Sequence, residues 1–228
     1  MDLTGWYVEA QARVVKCVSH LSDGEAAVVV PTTPAWTVHD VVAHVAGLVD
    51  DALNGRTGGA PSEAWTAAQV ERGRGVALAE IVSRWTEQTE GFATVLPNIG
   101  RMGFMACADL HAHEQDLYGA LGRVDGRDSE AIRFFARRDA ASTVQDVATA
   151  GLAALRISLD GDFHVGDEGA AARIDVSSWE WFRIFLGRRS GAQIARTIVG
   201  VEQPARYVAH IVAFGPSEAD IDEPGGPG

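Results

Sequence analysis

The first half of the chain carries hydrophobic residues at the three- and four-residue spacing that is typical of amphipathic helices. From these stripes we predict four long helices and a short helix between the second and the third. The long helices cover residues 6–21, 37–54, 78–96 and 104–121, and the short one covers residues 65–71. Each long helix has one apolar stripe, so a four-helix bundle is the arrangement that buries all four stripes.

The second half of the chain follows a different pattern. Residues 154–166 alternate between apolar and polar positions around a turn at Asp160, which predicts a β-hairpin. Residues 171–177 have the composition of a third strand. Helix-start signals at Ser177 and Ser190, each followed three residues later by Glu or Gln, predict two further helices.

This change of pattern predicts an α+β protein with two domains. We assign residues 1–125 to the four-helix bundle and residues 126–220 to a smaller mixed α/β domain. The last segment, residues 221–228, is acidic and rich in Gly and Pro. We expect it to be disordered because it has little apolar surface to bury.

The composition narrows the function classes. The chain has 228 residues, of which 46% are hydrophobic and 22% charged, as in globular proteins. Its net charge of -12 argues against a nucleic-acid binder and against docking on anionic lipid. Without a signal peptide or a long apolar run, we expect a cytoplasmic protein. Cys17 and Cys107 fall in helical patterns, so we expect buried free thiols.

The predicted fourth helix contains the densest group of ionisable side chains, in the segment DLHAHEQDLYGALG. On a helical projection Asp109, His113 and Asp116 lie within about 60° of one another. His111 and Glu114 point outward in the same projection. A carboxylate and an imidazole four residues apart can bind one divalent ion, but a solvated helix face has the same spacing. Both interpretations remain open from this helix alone.

The second predicted helix adds a histidine next to its apolar side. His44 lies beside the stripe of residues 41–48, so it needs a partner inside the bundle. Most such histidines form a hydrogen bond in the core, but facing helices of a bundle also lie within ligand distance. His44 with Asp109 and His113 would give three protein ligands and leave open coordination positions, which is typical of catalytic sites. Asp116 could then orient a ligand or act as a base.

Five segments together resemble one known family. They read PAWTVHDVVAHVAGL, AWTAAQVERGRG, DLHAHEQDLYGALGR, FRIFLGRRSGAQIA and YVAHIVAFGP. With them the chain resembles the mycothiol-dependent maleylpyruvate isomerase family, a branch of the DinB-like metalloenzymes, over most of its length. The resemblance implies a DinB-like metal-binding bundle followed by a domain similar to sterol-carrier proteins.

The resemblance also implies roles for individual residues. The motif histidine of the family corresponds to His44, and its E-x-x-x-H-x-x-D-L pattern corresponds to Asp109, His113, Asp116 and Leu117. The first position of that pattern is Asp109 here, whereas the family has Glu. Asp is a competent metal ligand that is shorter by one methylene, so the helices or the ion must lie slightly closer together.

Two arginine-containing segments match the family as well. ERGRG contains Arg74, and GRRS contains Arg188 and Arg189. The resemblance implies that such arginines bind the anionic substrate or the thiol cofactor, for which the planar guanidinium is suited. A connector between two helices, with arginines at a helix C-terminus, explains GRRS equally well without a function.

The resemblance implies a divalent metal, which we expect to be zinc, and mycothiol as the thiol. The expected activity is that of an S-transferase or isomerase, in which an activated thiolate attacks an electrophilic small-molecule substrate and Asp116 moves a proton. Two alternatives stay open. One is a metallohydrolase acting on a thiol conjugate or amide. The other is a metal-containing protein that binds a ligand without turnover.

Overall fold

The computed structural model describes residues 1–225 and separates into two compact units. The N-terminal unit is Met1–Gly126 and the C-terminal unit begins at Arg127, one residue from the predicted boundary. Eleven helices and a three-stranded sheet in the described residues confirm the predicted α+β class. None of the helices within residues 1–225 is long and apolar enough to cross a membrane.

The N-terminal unit is the predicted helical bundle. Its helices are α1 (Leu3–Val18), α2 (Asp23–Ala26), α3 (Val38–Leu53), α4 (Glu63–Gly73), α5 (Leu78–Glu87), α6 (Thr89–Val95) and α7 (Arg101–Ala120). The third predicted helix is divided into α5 and α6 at Gln88, where φ is -84° and ψ is -8°. Helix α3 begins with a capping box, in which Thr37 and Asp40 each accept from the other's backbone N–H.

Helix α7 is covered on nearly all sides over its second half, which the helical projection did not predict. His111 and Glu114, expected to point outward, are 1% and 0% exposed. The expectation was wrong because α7 packs against both α1 and α3, so its apparent polar face also meets protein. Glu114 forms a two-armed ion pair with Arg13 of α1, and the His111 ring bonds to the Cys107 carbonyl.

Both cysteines are free and buried, as predicted. Burial raises the pKa of the Cys107 thiol to about 12, so it is protonated at neutral pH. For Cys17, too, burial raises the pKa and outweighs the opposing hydrogen bond from Arg123. Burial therefore disfavours the thiolate form of both cysteines, as expected for thiols that contribute to packing.

The C-terminal unit combines a small sheet with four helices. The elements are α8 (Glu130–Thr149), β1 (Leu155–Leu159), β2 (Phe163–Val165), β3 (Ala172–Val176), α9 (Ser178–Phe185), α10 (Gly191–Thr197) and α11 (Ala205–Ile211). The strand order is β2-β1-β3, with β1 antiparallel to β2 and parallel to β3. The predicted hairpin is confirmed, and Asp160 and Gly161 both adopt the positive φ that its tight turn requires.

The beginning of the tail is packed, contrary to the expectation of disorder over residues 221–228. Ile221 is 7% exposed, and the Glu223 carboxylate pairs with the guanidinium groups of Arg183 and Arg189. The expectation was wrong for residues 221–225 because two buried arginines need carboxylates, and the tail provides one. Residues 226–228, which belong to the same prediction, lie outside the described residues.

A buried carboxyl group on α8 makes the stability of the C-terminal unit depend on pH. Burial raises the pKa of Asp139 from 3.8 to about 6, although a bond from Arg138 opposes the shift. Between about pH 4 and 6, Asp139 therefore keeps its proton in the folded state but loses it in the unfolded chain. The free energy of unfolding falls as the pH rises through this range.

We expect Asp139→Asn to stabilise the unit at pH 8 by about 2–3 kcal/mol, from 1.36 kcal/mol per pKa unit, and to have little effect at pH 3.5. Urea unfolding at the two pH values measures this difference. The more exposed Asp146 on the same helix, changed to Asn, is the control. An equal effect of Asp139→Asn at both pH values would contradict the assignment.

Candidate metal centre

Three side chains from two helices meet in the N-terminal unit. His44 comes from α3, and Asp109 and His113 come from successive turns of α7. One ligand atom from each lies within 4.8 Å of the other two, and this is the one such group of three within residues 1–225. The Asp109 carboxylate lies between the rings, with Oδ2 3.1 Å from His44 Nε2 and Oδ1 3.5 Å from His113 Nε2.

The surroundings of the three side chains are closed on the imidazole side and open at the carboxylate. His44 and His113 are almost fully buried, whereas the Asp109 side chain is 36% exposed. The two rings lie nearly perpendicular with centroids 5.1 Å apart. Trp36 covers both of them, with its ring centroid 5.2 Å from His44 and 6.0 Å from His113. A ligand can therefore approach along Asp109, and water is restricted elsewhere.

Both imidazoles are held from behind by hydrogen bonds at Nδ1. His44 Nδ1 lies 2.7 Å from Gln69 Oε1, and His113 Nδ1 lies 3.0 Å from Asp116 Oδ2. When Nδ1 carries the proton and donates it to these oxygens, each Nε2 is left with a lone pair directed at the common point. This is the arrangement in which protein histidines bind metals.

Asp116 is fully buried and bonded to a ligand candidate. This location supports the predicted role of Asp116 in orienting a ligand. The alternative role, as a base that moves a proton to or from substrate, remains a prediction.

Two buried histidines of the N-terminal unit, His111 on α7 and His44 on α3, have different electrostatic surroundings. Burial lowers the pKa of His111 to about 4, so this ring is neutral at physiological pH. At His44 burial also acts to lower the pKa, but the charge and hydrogen bond of Asp109 outweigh it and raise the pKa. His111 is therefore a core histidine, whereas His44 faces an anionic partner.

The donor set fits a divalent metal such as zinc. Two imidazole nitrogens and one carboxylate oxygen are a usual three-ligand set for catalytic zinc, and the open side at Asp109 leaves room for further ligands. The replacement of Glu by Asp does not prevent this, because Asp109 already reaches both histidines from α7. We therefore take the three residues as a candidate metal centre.

The arginines predicted to bind cofactor have three different environments. Arg74 lies in the N-terminal unit with an exposed guanidinium that pairs with Glu71 at 2.8 Å. Arg188 is half-buried and donates to the Leu186 carbonyl. Arg189 is 3% exposed and paired with two carboxylates. Cofactor binding by these residues remains a prediction, and for Arg189 the structure shows an additional structural role.

Sequence reasoning missed two residues that contact the candidate ligands, Trp36 and Gln69. Both lie in segments that carry the family resemblance, but neither is part of an ionisable cluster or of an apolar stripe. Gln69 lies on α4, which was predicted as a short helix outside the bundle. One signal was available, since His44, Gly47 and Asp51 share a face of α3, where a second helix can approach closely.

Comparison with known proteins finds one family model and two solved structures that are similar to this chain. Residues 7–103 match the family model described as the mycothiol maleylpyruvate isomerase N-terminal domain. Two solved structures share the fold with a TM-score of 0.52: a mycothiol-dependent maleylpyruvate isomerase at 13% identity and its histidine-to-alanine mutant at 12%. Each alignment covers 82% of this chain and 88% of the other chain. The curated proteins include none that matches this sequence.

Proposed function

We propose that this chain is a metal-dependent enzyme, an S-transferase or isomerase that uses mycothiol, because its residues 7–103 match the model of the mycothiol maleylpyruvate isomerase N-terminal domain. The observation that supports the proposal most directly is the convergence of His44, Asp109 and His113, whose ligand atoms lie within 4.8 Å of one another. These residues would hold the ion, and we propose zinc from the donor set.

The chemistry that a divalent ion supplies at such a site is a lowered pKa for a bound thiol, so that a thiolate is present at neutral pH. The protein's own residues prepare the place for it. Asp116 and Gln69 orient the two imidazoles, Trp36 restricts water at the rings, and the exposed edge of Asp109 marks the direction from which thiol and substrate enter.

The proposed reaction begins with attack of the mycothiol sulfur on an electrophilic carbon, such as one end of an activated double bond. A carbon–sulfur bond forms, the π bond breaks, and the other carbon takes up a proton. A transferase releases this adduct. In an isomerase the new single bond rotates, the same proton is lost and the thiol is expelled, so mycothiol is regenerated.

The exposed guanidinium of Arg74 is our candidate for contact with an anionic group of the substrate or of mycothiol. Its present partner, Glu71, is itself exposed, so exchanging that partner for a ligand carboxylate involves little desolvation. We propose the same contact for Arg188 and Arg189. Arg189 is buried, so it has a structural role as well.

The test combines metal analysis with product analysis. We expect untagged protein to contain about one divalent ion per chain, and to convert a maleyl-type electrophile in the presence of mycothiol only when it is loaded with metal. Mass spectrometry together with proton NMR of the products separates the classes. An adduct indicates transfer, unchanged mass with an altered double-bond coupling constant indicates isomerisation, and added water on a mycothiol conjugate indicates hydrolysis.

Absence of metal after purification and after reloading would overturn the proposal. Protein that binds metal and mycothiol without converting either class of substrate would instead be a binding protein. If the products show hydrolysis, the proposed metal centre stands and the proposed transferase or isomerase reaction is wrong.

A further inference from the structure

A line of hydrogen bonds leads from His44 through the interior to the surface of the N-terminal unit. His44 Nδ1 lies 2.7 Å from Gln69 Oε1, and Gln69 Nε2 donates to Asp51 Oδ2 at 3.0 Å. The other carboxylate oxygen of Asp51 accepts from Arg72 at 2.7 Å and from Arg56 at 2.9 Å. Gln69 and Asp51 are each 1% exposed, so water does not compete for these bonds.

The direction of every bond in this line follows from the residue at its end. An ionised carboxylate only accepts, so Asp51 must face the amide nitrogen of Gln69. The amide oxygen of Gln69 then points to His44, and the ring must donate from Nδ1. With Nδ1 as the donor to Gln69, Nε2, the atom that faces Asp109, is the nitrogen that would offer its lone pair to a bound ion.

A glycine on α3 makes this contact possible. A Cβ atom at Gly47 would lie 2.8 Å from the Cβ of Gln69, closer than real Cβ atoms approach. The absent side chain lets α4 approach α3 closely enough for a glutamine to reach the His44 ring. His44, Gly47 and Asp51 occupy successive turns of one face of α3. This face therefore provides the candidate ligand, the space for Gln69 and the carboxylate that binds the Gln69 amide.

We propose that Gln69 is a positioning residue of the metal centre, which sets the tautomer and orientation of His44, and that Asp51 fixes the amide of Gln69. This inference rests on the proposed metal-dependent function. It assigns different supports to the two histidines: a carboxylate, Asp116, behind His113, and a neutral amide behind His44. The charge of Asp51 is compensated by two arginines and does not reach the ring directly.

The first test replaces the amide by groups that cannot orient the ring. Gln69→Leu removes the acceptor, and we expect zinc affinity to fall by about 10–100-fold. Gln69→Glu retains the acceptor but places a second carboxylate against Asp51, so we expect a loss as well. Zinc affinity is measured by competition with a chelating dye, after circular dichroism has shown that each variant is folded.

The decisive variant exchanges the two groups. In Gln69→Glu/Asp51→Asn the new asparagine donates to the new glutamate through Nδ2 and still accepts from the arginines through Oδ1. The order of donors and acceptors towards His44 is thereby restored. We expect zinc affinity to return to within about threefold of wild type, against the 10–100-fold loss in Gln69→Leu.

A proton spectrum of the zinc-loaded protein provides a readout that a purely structural role would not move. The Nδ1–H signal of His44 should shift and exchange faster in Gln69→Leu, while that of His113, held by Asp116, stays in place. Gln11→Leu is the matched control, because Gln11 is equally buried on α1 and bonds to the Trp85 carbonyl away from the centre. It should leave both signals and the affinity unchanged.

The outcomes separate the two proposals. If wild-type protein binds no metal, the proposed function fails. If wild type binds zinc but Gln69→Leu binds it equally well with an unchanged His44 signal, the function survives and the role of Gln69 is refuted. A double variant that remains as weak as Gln69→Leu would refute the assigned order of donors and acceptors.

Discussion

Alanine in place of His113 is expected to lower zinc affinity by about a hundredfold or more and to abolish thiol-dependent turnover. Loss of a residue that merely orients a ligand costs 10–100-fold in comparable sites, so loss of a ligand itself should cost at least the upper end of that range. The change also removes one hydrogen-bond partner of the buried Asp116 carboxylate, so part of its effect will be on stability.

Two further variants separate metal loss from destabilisation. His44→Ala removes a ligand from the other helix and leaves the bond between Asp116 and His113 intact. If His44→Ala and His113→Ala both lose the metal, the cause is loss of a ligand and not destabilisation at Asp116. His164→Ala changes an exposed histidine of the C-terminal unit that bonds to Ser158, and should retain the metal of wild type. Metal content after dialysis and zinc affinity in folded protein are the measurements; unchanged affinity in both His113→Ala and His44→Ala would exclude this centre.

Replacement of Arg189 by methionine is expected to lower the free energy of unfolding of the C-terminal unit by about 3–5 kcal/mol, the usual cost of removing one partner of a buried ion pair. Arg189 pairs with Glu180 at 2.6 Å and with Glu223 at 2.7 Å. All three side chains are at most 5% exposed, and the variant leaves two buried carboxylates with one guanidinium, that of Arg183.

Arg188→Met is the matched control, since it changes the adjacent arginine, which is half-buried and donates to a carbonyl. We expect it to lower the free energy of unfolding by less than Arg189→Met does, because its side chain is less buried. Chemical denaturation gives the stabilities, and titration with mycothiol gives the affinities. An Arg189→Met protein with wild-type stability but weakened mycothiol binding would show that this arginine serves the cofactor and not the fold.

The local pattern of the sequence was sufficient for the individual elements. The hairpin around Asp160 and the start of α3 at Thr37 were predictable because turn and cap chemistry depends on a few neighbouring residues. The proximity of Asp109 and His113 follows from helical geometry alone, since residues four apart share one face. The division of the third helix at Gln88 was not predictable, because its apolar stripe continues across the break.

The burial of polar residues depended on how the elements pack. His111 and Glu114 lie on the polar side of α7 by periodicity, yet α1 covers that side and supplies Arg13 for Glu114. The polar composition of the tail predicted disorder, but its Glu223 carboxylate pairs with two buried arginines, Arg183 of α9 and Arg189 of the following loop. A polar residue reads as exposed in a one-dimensional pattern, whereas its burial depends on a partner that is distant in the chain.

The sequence by itself therefore determined the fold class, the helices that carry His44, Asp109 and His113, and the family resemblance of the motifs. Only the tertiary structure decided that α3 and α7 bring these three side chains within ligand distance, and that Gln69 and Asp116 support the rings from behind. The reason is physical: periodicity along a helix fixes which residues share a face, but ligand distance and hydrogen-bond order are set by the packing of one helix against another.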